Sequence, residues 1–152
     1  EELFNKITKQ RTYRNGGGTL RQIYFAMTDM YLYSKLEENE DPIEVMKRMA
    51  DKYLINKIDD DDRFICAFSH IFAGGYSAGY YSYKWAEVMS ADAFSAFEEI
   101  NMDNIQELKK VGMRFRETIL AKGGGTHPSE VFKEFRGRNP KPESLLRHNG
   151  IN

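Results

Sequence analysis

Fourteen consecutive residues, His70-Ile-Phe-Ala-Gly-Gly-Tyr-Ser-Ala-Gly-Tyr-Tyr-Ser-Tyr83, hold one histidine, four tyrosines and three glycines. Glycines at 74, 75 and 79 let a backbone turn sharply and come close to a bound chain. Tyrosines at 76, 80, 81 and 83 set neutral hydroxyl donors around that backbone. Such donors suit a peptide carbonyl, or the oxyanion that forms when the carbonyl is attacked. The same residues also read as core aromatics beside a glycine turn, since aromatic side chains mostly serve burial. Composition alone leaves both readings open.

A loop of this kind needs firm flanks, and the sequence offers helices. Asn15-Gly-Gly-Gly-Thr19 reads as a break, with Thr19 the N-cap of the helix that follows. Leu20, Ile23, Tyr24, Met27, Met30 and Tyr31 then recur at helical spacing to about Leu36. Asp41-Pro42 caps and opens the next helix, with Ile43, Met46, Met49, Ala50, Tyr53 and Leu54 as its stripe. Asp59 to Asp62 lacks the spacing and glycine of a calcium loop and reads as a solvated linker before the segment Phe64 to Phe68. The stretch from Tyr80 to Phe97 is apolar on nearly all sides, which predicts a buried helix. Trp85 is expected to anchor the core under the loop, and Tyr81 to pack.

Asp103 or Asn104 caps a further helix with Ile105, Leu108, Val111, Phe115 and Ile119 on one face, ending at Gly123-Gly-Gly125. Pro128 opens a short helix carrying Val131, Phe132 and Phe135, with His127 in its cap, and Pro140 and Pro142 end it. Leu145 and Leu146 sit on a last turn. With no alternating strand, repeat or low-complexity tract, the expected class is all-α, a multi-helical orthogonal or irregular bundle.

Length and charge set bounds. A chain of 152 residues can bury a core as one domain. Its 22 basic and 23 acidic residues give a net charge of -1, so no global field gathers nucleic acid or membrane. A tyrosine–glycine platform for single strands would want interleaved lysines or arginines, and His70 to Tyr83 has neither. No long apolar run suggests a membrane span. The single Cys66 rules out an internal disulfide, suits a reducing compartment and reads as a small core residue. Cys66 and His70 lie four apart, but two ligands do not make a zinc site. Arg136 and Arg138 read as surface residues able to touch an acidic partner.

The run Phe68-Ser-His-Ile-Phe-Ala-Gly-Gly-Tyr-Ser-Ala-Gly-Tyr-Tyr-Ser-Tyr-Lys-Trp-Ala-Glu-Val88 resembles the glycine–tyrosine active-site loop of the thimet oligopeptidase family of zinc metallopeptidases, in particular its oligopeptidase A branch. The resemblance continues through Ser90 to Phe97, returns in Gly123 to Pro140 and Leu145 to Ile151, and fits Leu20-Arg-Gln-Ile23 more loosely. It implies that this chain is one part of a larger zincin-type helical peptidase domain. It also implies one zinc ion held by His-Glu-x-x-His plus a later glutamate, the motif's glutamate activating the metal-bound water. The only histidines here are His70, His127 and His148, and none lies four residues from another, so that motif is absent. The expectation is a carboxyl-terminal portion, residues 1–152, that supplies no metal ligand and is inactive alone.

Carried over by motif position, the resemblance gives Tyr76, Tyr80 and Tyr83 as hydroxyl donors to the oxyanion or neighbouring backbone. Tyr83 is the first candidate for transition-state stabilisation and Tyr76 the second. His70 matches a histidine that contacts substrate backbone, and it reads equally as a helix-terminal anchor of the loop. Gly74 and Gly75 read as hinges that let the loop close on substrate, or as a static turn. Short peptides are the implied substrates, cleaved internally or as carboxyl-terminal dipeptides. A helical interaction module without catalysis is the reading from another class. The implied compartment is the cytoplasm or an organelle. The implied partner is the amino-terminal part of the same protein, and the apolar 80–97 segment predicts self-association of the isolated chain.

Overall fold

The computed structural model describes residues 1–151, which are helical with no strand among the described residues. The class is all-α, as the periodicity predicts. The chain divides into two units, Glu1–Lys84 and Trp85–Asn152.

In the first unit, α1 (Glu2–Gln10) carries Leu3, Phe4 and Ile7 on an exposed side, braced by a Lys6–Glu2 pair at 2.6 Å. Arg14 then turns the chain through the left-handed region, φ 57°, and α2 (Asn15–Ser34) begins. The expected break at Gly16–Gly18 is therefore wrong: the three glycines and Thr19 lie inside the first turns of α2, and Thr19 is not its cap. The reversal occurs one step earlier, at Arg14. The Gly18 N–H already donates to the Arg14 carbonyl at 3.2 Å, so these glycines are held in the ladder despite their low helix propensity.

The face α2 buries also differs from the expected stripe. Tyr24, Phe25, Thr28 and Asp29 are inside, while Met27 is exposed. Helix α3 (Pro42–Tyr53) starts as predicted: the Asp41 carboxylate accepts from Ile43 N at 2.8 Å and Pro42 takes the first position, where its missing N–H costs nothing. Val45, Met46, Met49 and Ala50 of α3 form a core with Tyr24 and Phe25, joined by Ile65 of α4 (Phe64–Ala67), Phe68, and Ile71 of the 3-10 turn Ser69–Ile71. Phe25 stacks on Phe64 with ring centres 4.8 Å apart. The acidic run before α4 is solvated as expected, apart from Asp62, which accepts from Phe64 N at 2.6 Å.

Helix α5 (Ser82–Glu98) starts in the first unit and contributes Trp85–Glu98 to the second. It is not buried all round. Its small residues Ala91, Ala93, Ser95 and Ala96, with Asp92, face inward, while Trp85 and Phe94 are 47% and 50% exposed. The small side is the inward one and the large rings turn out, so Trp85 does not anchor a core. Helix α6 (Ile105–Phe115) is capped by Asn104, whose carbonyl oxygen accepts from Gln106 N at 3.1 Å. A π turn over Arg116–Leu120 follows, with Ala121 N donating to the Arg116 carbonyl at 2.8 Å.

Helix α7 (Pro128–Arg136) buries Val131, Phe132 and Phe135 as predicted, and the His127 ring caps it by accepting from Ser129 N at 3.3 Å. It stops at Gly137, φ 71°, and not at the prolines beyond. A left-handed C′ residue with its N–H on the Lys133 carbonyl at 2.7 Å closes the last turn. Helix α8 (Glu143–His148) is the last helix among the described residues. The second core joins Ala93, Ala96, Val111, Phe132 and Phe135, with the Phe115 and Phe135 rings edge to face at 5.4 Å.

Candidate active site

The glycine–tyrosine loop is held from both ends. At its start the Ile71 carbonyl accepts from the Ser77 hydroxyl at 2.9 Å and from the Tyr33 hydroxyl of α2. Inside it, Gly74 N donates to the Ser69 carbonyl at 2.8 Å and Tyr76 N to the His70 carbonyl at 3.0 Å. Gly74 is forced by space: a Cβ there would lie 2.7 Å from His70 Cα and 2.9 Å from the His70 carbonyl oxygen. Gly75 is forced by conformation, with φ +80°. At the far end the two oxygens of Asp29 accept from Ala78 N and Tyr80 N, each at 2.9 Å.

This folding brings the candidate side chains together. The Tyr76 and Tyr83 rings are 5.0 Å apart, Tyr80 and Tyr83 5.1 Å, and the exposed His70 ring stands 6.2 Å from Tyr76 and 6.0 Å from Tyr80. Their environments differ. Tyr80 leans on the core, its ring 5.1 Å from Phe68, and its hydroxyl donates to Gln22 Oε1 at 3.0 Å. Burial raises its pKa. Tyr76 and Tyr83 are 37% and 39% exposed. A hydrogen bond to the Tyr76 hydroxyl, more than burial, raises the Tyr83 pKa above its ordinary 10.0, so Tyr83 is a neutral donor at pH 7.

Tyr81 is 51% exposed and does not pack. Cys66 is a free, exposed thiol and not a core residue. Among the described residues no group of three or more His, Cys, Asp or Glu side chains can hold a metal ion, so the implied zinc finds no ligand set in them.

Sequence reasoning missed Asp29, Tyr33, Ser77 and Gln22. Asp29 sits among apolar residues at helical spacing, and its full burial was the available signal only once α2 had been rotated correctly. A second omission lies in the other unit. Arg138 forks onto buried Asp92 with both nitrogen–oxygen distances 2.6 Å, Lys141 N adds a bond at 2.8 Å, and the Ser95 hydroxyl one at 3.1 Å. Arg136, its side chain 6% exposed, donates to Glu99 at 3.0 Å and to Ser95 at 3.2 Å. The two arginines are therefore internal clamps and not free surface cations. Burial pushes the Asp92 carboxyl up, but the Arg138 and Lys141 hydrogen bonds outweigh it and hold its pKa below the ordinary value.

A model of the family described as "Peptidase family M3" matches residues 1–151. Over 99% of its length the chain is 54% identical to organellar oligopeptidase A, chloroplastic/mitochondrial, of Arabidopsis thaliana, covering 19% of that protein. It is equally 54% identical to the probable cytosolic oligopeptidase A of the same plant and 40% identical to oligopeptidase A of Escherichia coli, covering 22% of each. The chain thus spans about a fifth of the length of these relatives. No helix of the described residues is long and apolar enough to cross a membrane.

Proposed function

Because the chain belongs to peptidase family M3, we propose that it forms the substrate-binding and transition-state-stabilising part of an oligopeptidase that hydrolyses short peptides. The observation that carries this reading is the Tyr76–Tyr83 pair, two half-exposed tyrosines with rings 5.0 Å apart on a loop whose backbone is fixed on both sides. Tyr83 donates a hydrogen bond, keeping its proton, to the carbonyl oxygen of the scissile peptide as negative charge develops there, and Tyr76, released from Tyr83, supports the same oxygen or the next backbone group. Such donors act most strongly in the transition state, where the oxygen carries the most charge.

His70 and the turn at Gly74–Gly75 line the path of the substrate backbone, and Tyr80 takes part through its ring, its hydroxyl being given to Gln22. Recognition through backbone groups suits an enzyme acting on peptides of varied sequence. The zinc ligands, one ion per enzyme, lie outside these 152 residues, and the isolated chain has no hydrolytic activity. The organellar and cytosolic relatives support placement in the cytoplasm or an organelle.

The test compares the 152-residue chain with the longer protein for zinc content and cleavage of a quenched fluorescent peptide. Stoichiometric zinc and cleavage are expected in the longer protein alone. Zinc binding with cleavage by the isolated chain would overturn the reading.

A further inference from the structure

We propose that Asp29 is the positioning residue of the glycine–tyrosine loop, its buried carboxylate fixing the backbone from which Tyr76 and Tyr83 reach a substrate. The inference rests on the loop reading above and goes beyond it, because Asp29 lies in α2, 41 residues or more from the loop, and is fully buried.

Asp29 is 0% exposed, and it is the one charged residue buried in the first unit among the described residues. An ionised group is expensive to bury unless strong hydrogen bonds replace its water. Here they come from the loop backbone: Ala78 N on Oδ1 and Tyr80 N on Oδ2, both at 2.9 Å. The pattern is selective. Ala78 sits at φ 52°, a left-handed conformation that a residue with a Cβ keeps only when its surroundings hold it.

The carboxylate bridges this strained residue and the one two positions on, so both N–H groups must point into α2. That choice fixes the direction in which Tyr80, Tyr83 and the start of α5 leave the turn. The opposite end is tied by Tyr33 and Ser77 to the Ile71 carbonyl. α2 therefore grips the loop at both ends, through Tyr33 and Asp29. Asparagine could accept from one N–H but would set its own NH₂ against the other.

The experiment uses the longer protein with Asp29→Asn, read by hydrogen–deuterium exchange of peptides covering 72–83, by peptide-cleavage kinetics and by thermal midpoint. Exchange in 72–83 is expected to quicken about tenfold or more while peptides of α3 keep their protection. Turnover falls about tenfold to a hundredfold with KM moved less than about threefold, because the donors are misplaced and not removed. Unchanged exchange in 72–83, or an equal rise across α2 and α3, would overturn the proposal.

Should Asp29→Asn fail to fold, Ala78→Val attacks the same turn from the loop side and Ala78→Gly serves as its partner. Faster 72–83 exchange is expected for valine and not for glycine, and equal behaviour of the two would overturn the proposal. Tyr83→Phe separates the claims. If it leaves turnover unaltered, the oxyanion reading fails while the exchange result still decides the role of Asp29.

Discussion

Tyr83 is useful only as a phenol. Its pKa lies above the ordinary 10.0, raised first by the hydrogen bond with Tyr76 and then by burial, so in the proposed role Tyr83 meets a developing oxyanion as a donor and not as a negative charge. The geometry around it explains why glycine is needed at one position and only convenient at another. Gly74→Ala would push a Cβ into His70 Cα at 2.7 Å, a backbone atom that cannot step aside. We expect it to cost about 1–3 kcal/mol in thermal or denaturant unfolding. Gly79→Ala meets nothing nearer than the Tyr76 carbonyl oxygen at 3.5 Å and should be near neutral. Equal losses at 74 and 79 would contradict this account of the turn. At this scale the sequence was partly legible. Tyr76, Tyr83, His70 and the glycines announce themselves by type and spacing. Asp29 does not, because a carboxylate that satisfies distant backbone N–H groups leaves no local pattern.

Among the elements, chemistry that is local was readable and chemistry that is tertiary was not. Asp41-Pro42, Asn104 and His127-Pro128 cap their helices with groups two or three residues away, so the caps follow from sequence. The glycines of α2 were misread because the chain reverses at Arg14, a residue with no turn signature. The aromatics of α5 were misread because the inward face was chosen by alanines and by Asp92, whose partners stand 46 and 49 positions away in Arg138 and Lys141. That network ties α5 to the residues after α7 and makes a pH prediction. Asp92, Glu98 and Glu99 have pKa values lowered in the fold from ordinary values of 3.8, 4.5 and 4.5. For Asp92 and Glu98 the hydrogen bonds overcome the opposing and larger effect of burial, with Arg147 and His148 serving Glu98. For Glu99 the Arg136 hydrogen bond leads. A lowered folded pKa gives stability that is complete above pH 4.5 and lost as the pH falls through the lowered values. Thermal midpoints should therefore be flat near neutrality and drop below pH 4.5. Asp92→Asn should cost about 3 kcal/mol at pH 7 and flatten the acid limb. Parallel acid limbs in the two proteins would count against the network.

For the whole molecule, the two units divide the work. The first carries the loop and the α2 residues that fix it, and the second carries an apolar groove of about 520 Å³ lined by Met89, Ala93, Phe97, Phe115, Ile119 and Phe132. The chain spans about a fifth of its relatives, and exposed rings such as Trp85 and Phe94 are surfaces of the kind that soluble proteins usually cover. Helical class and family membership were legible at this scale because they rest on long-range periodicity and a long specific run. The rotation of individual helices was not, since it depends on contacts between distant segments. The proposed function converges on one hydroxyl. The decisive measurement is steady-state cleavage of a quenched peptide by the longer protein with Tyr83→Phe. A fall in kcat on the order of 10²–10³ is expected, with KM and thermal midpoint nearly unchanged. Unchanged kcat with a lowered thermal midpoint would make Tyr83 a packing residue and contradict the account.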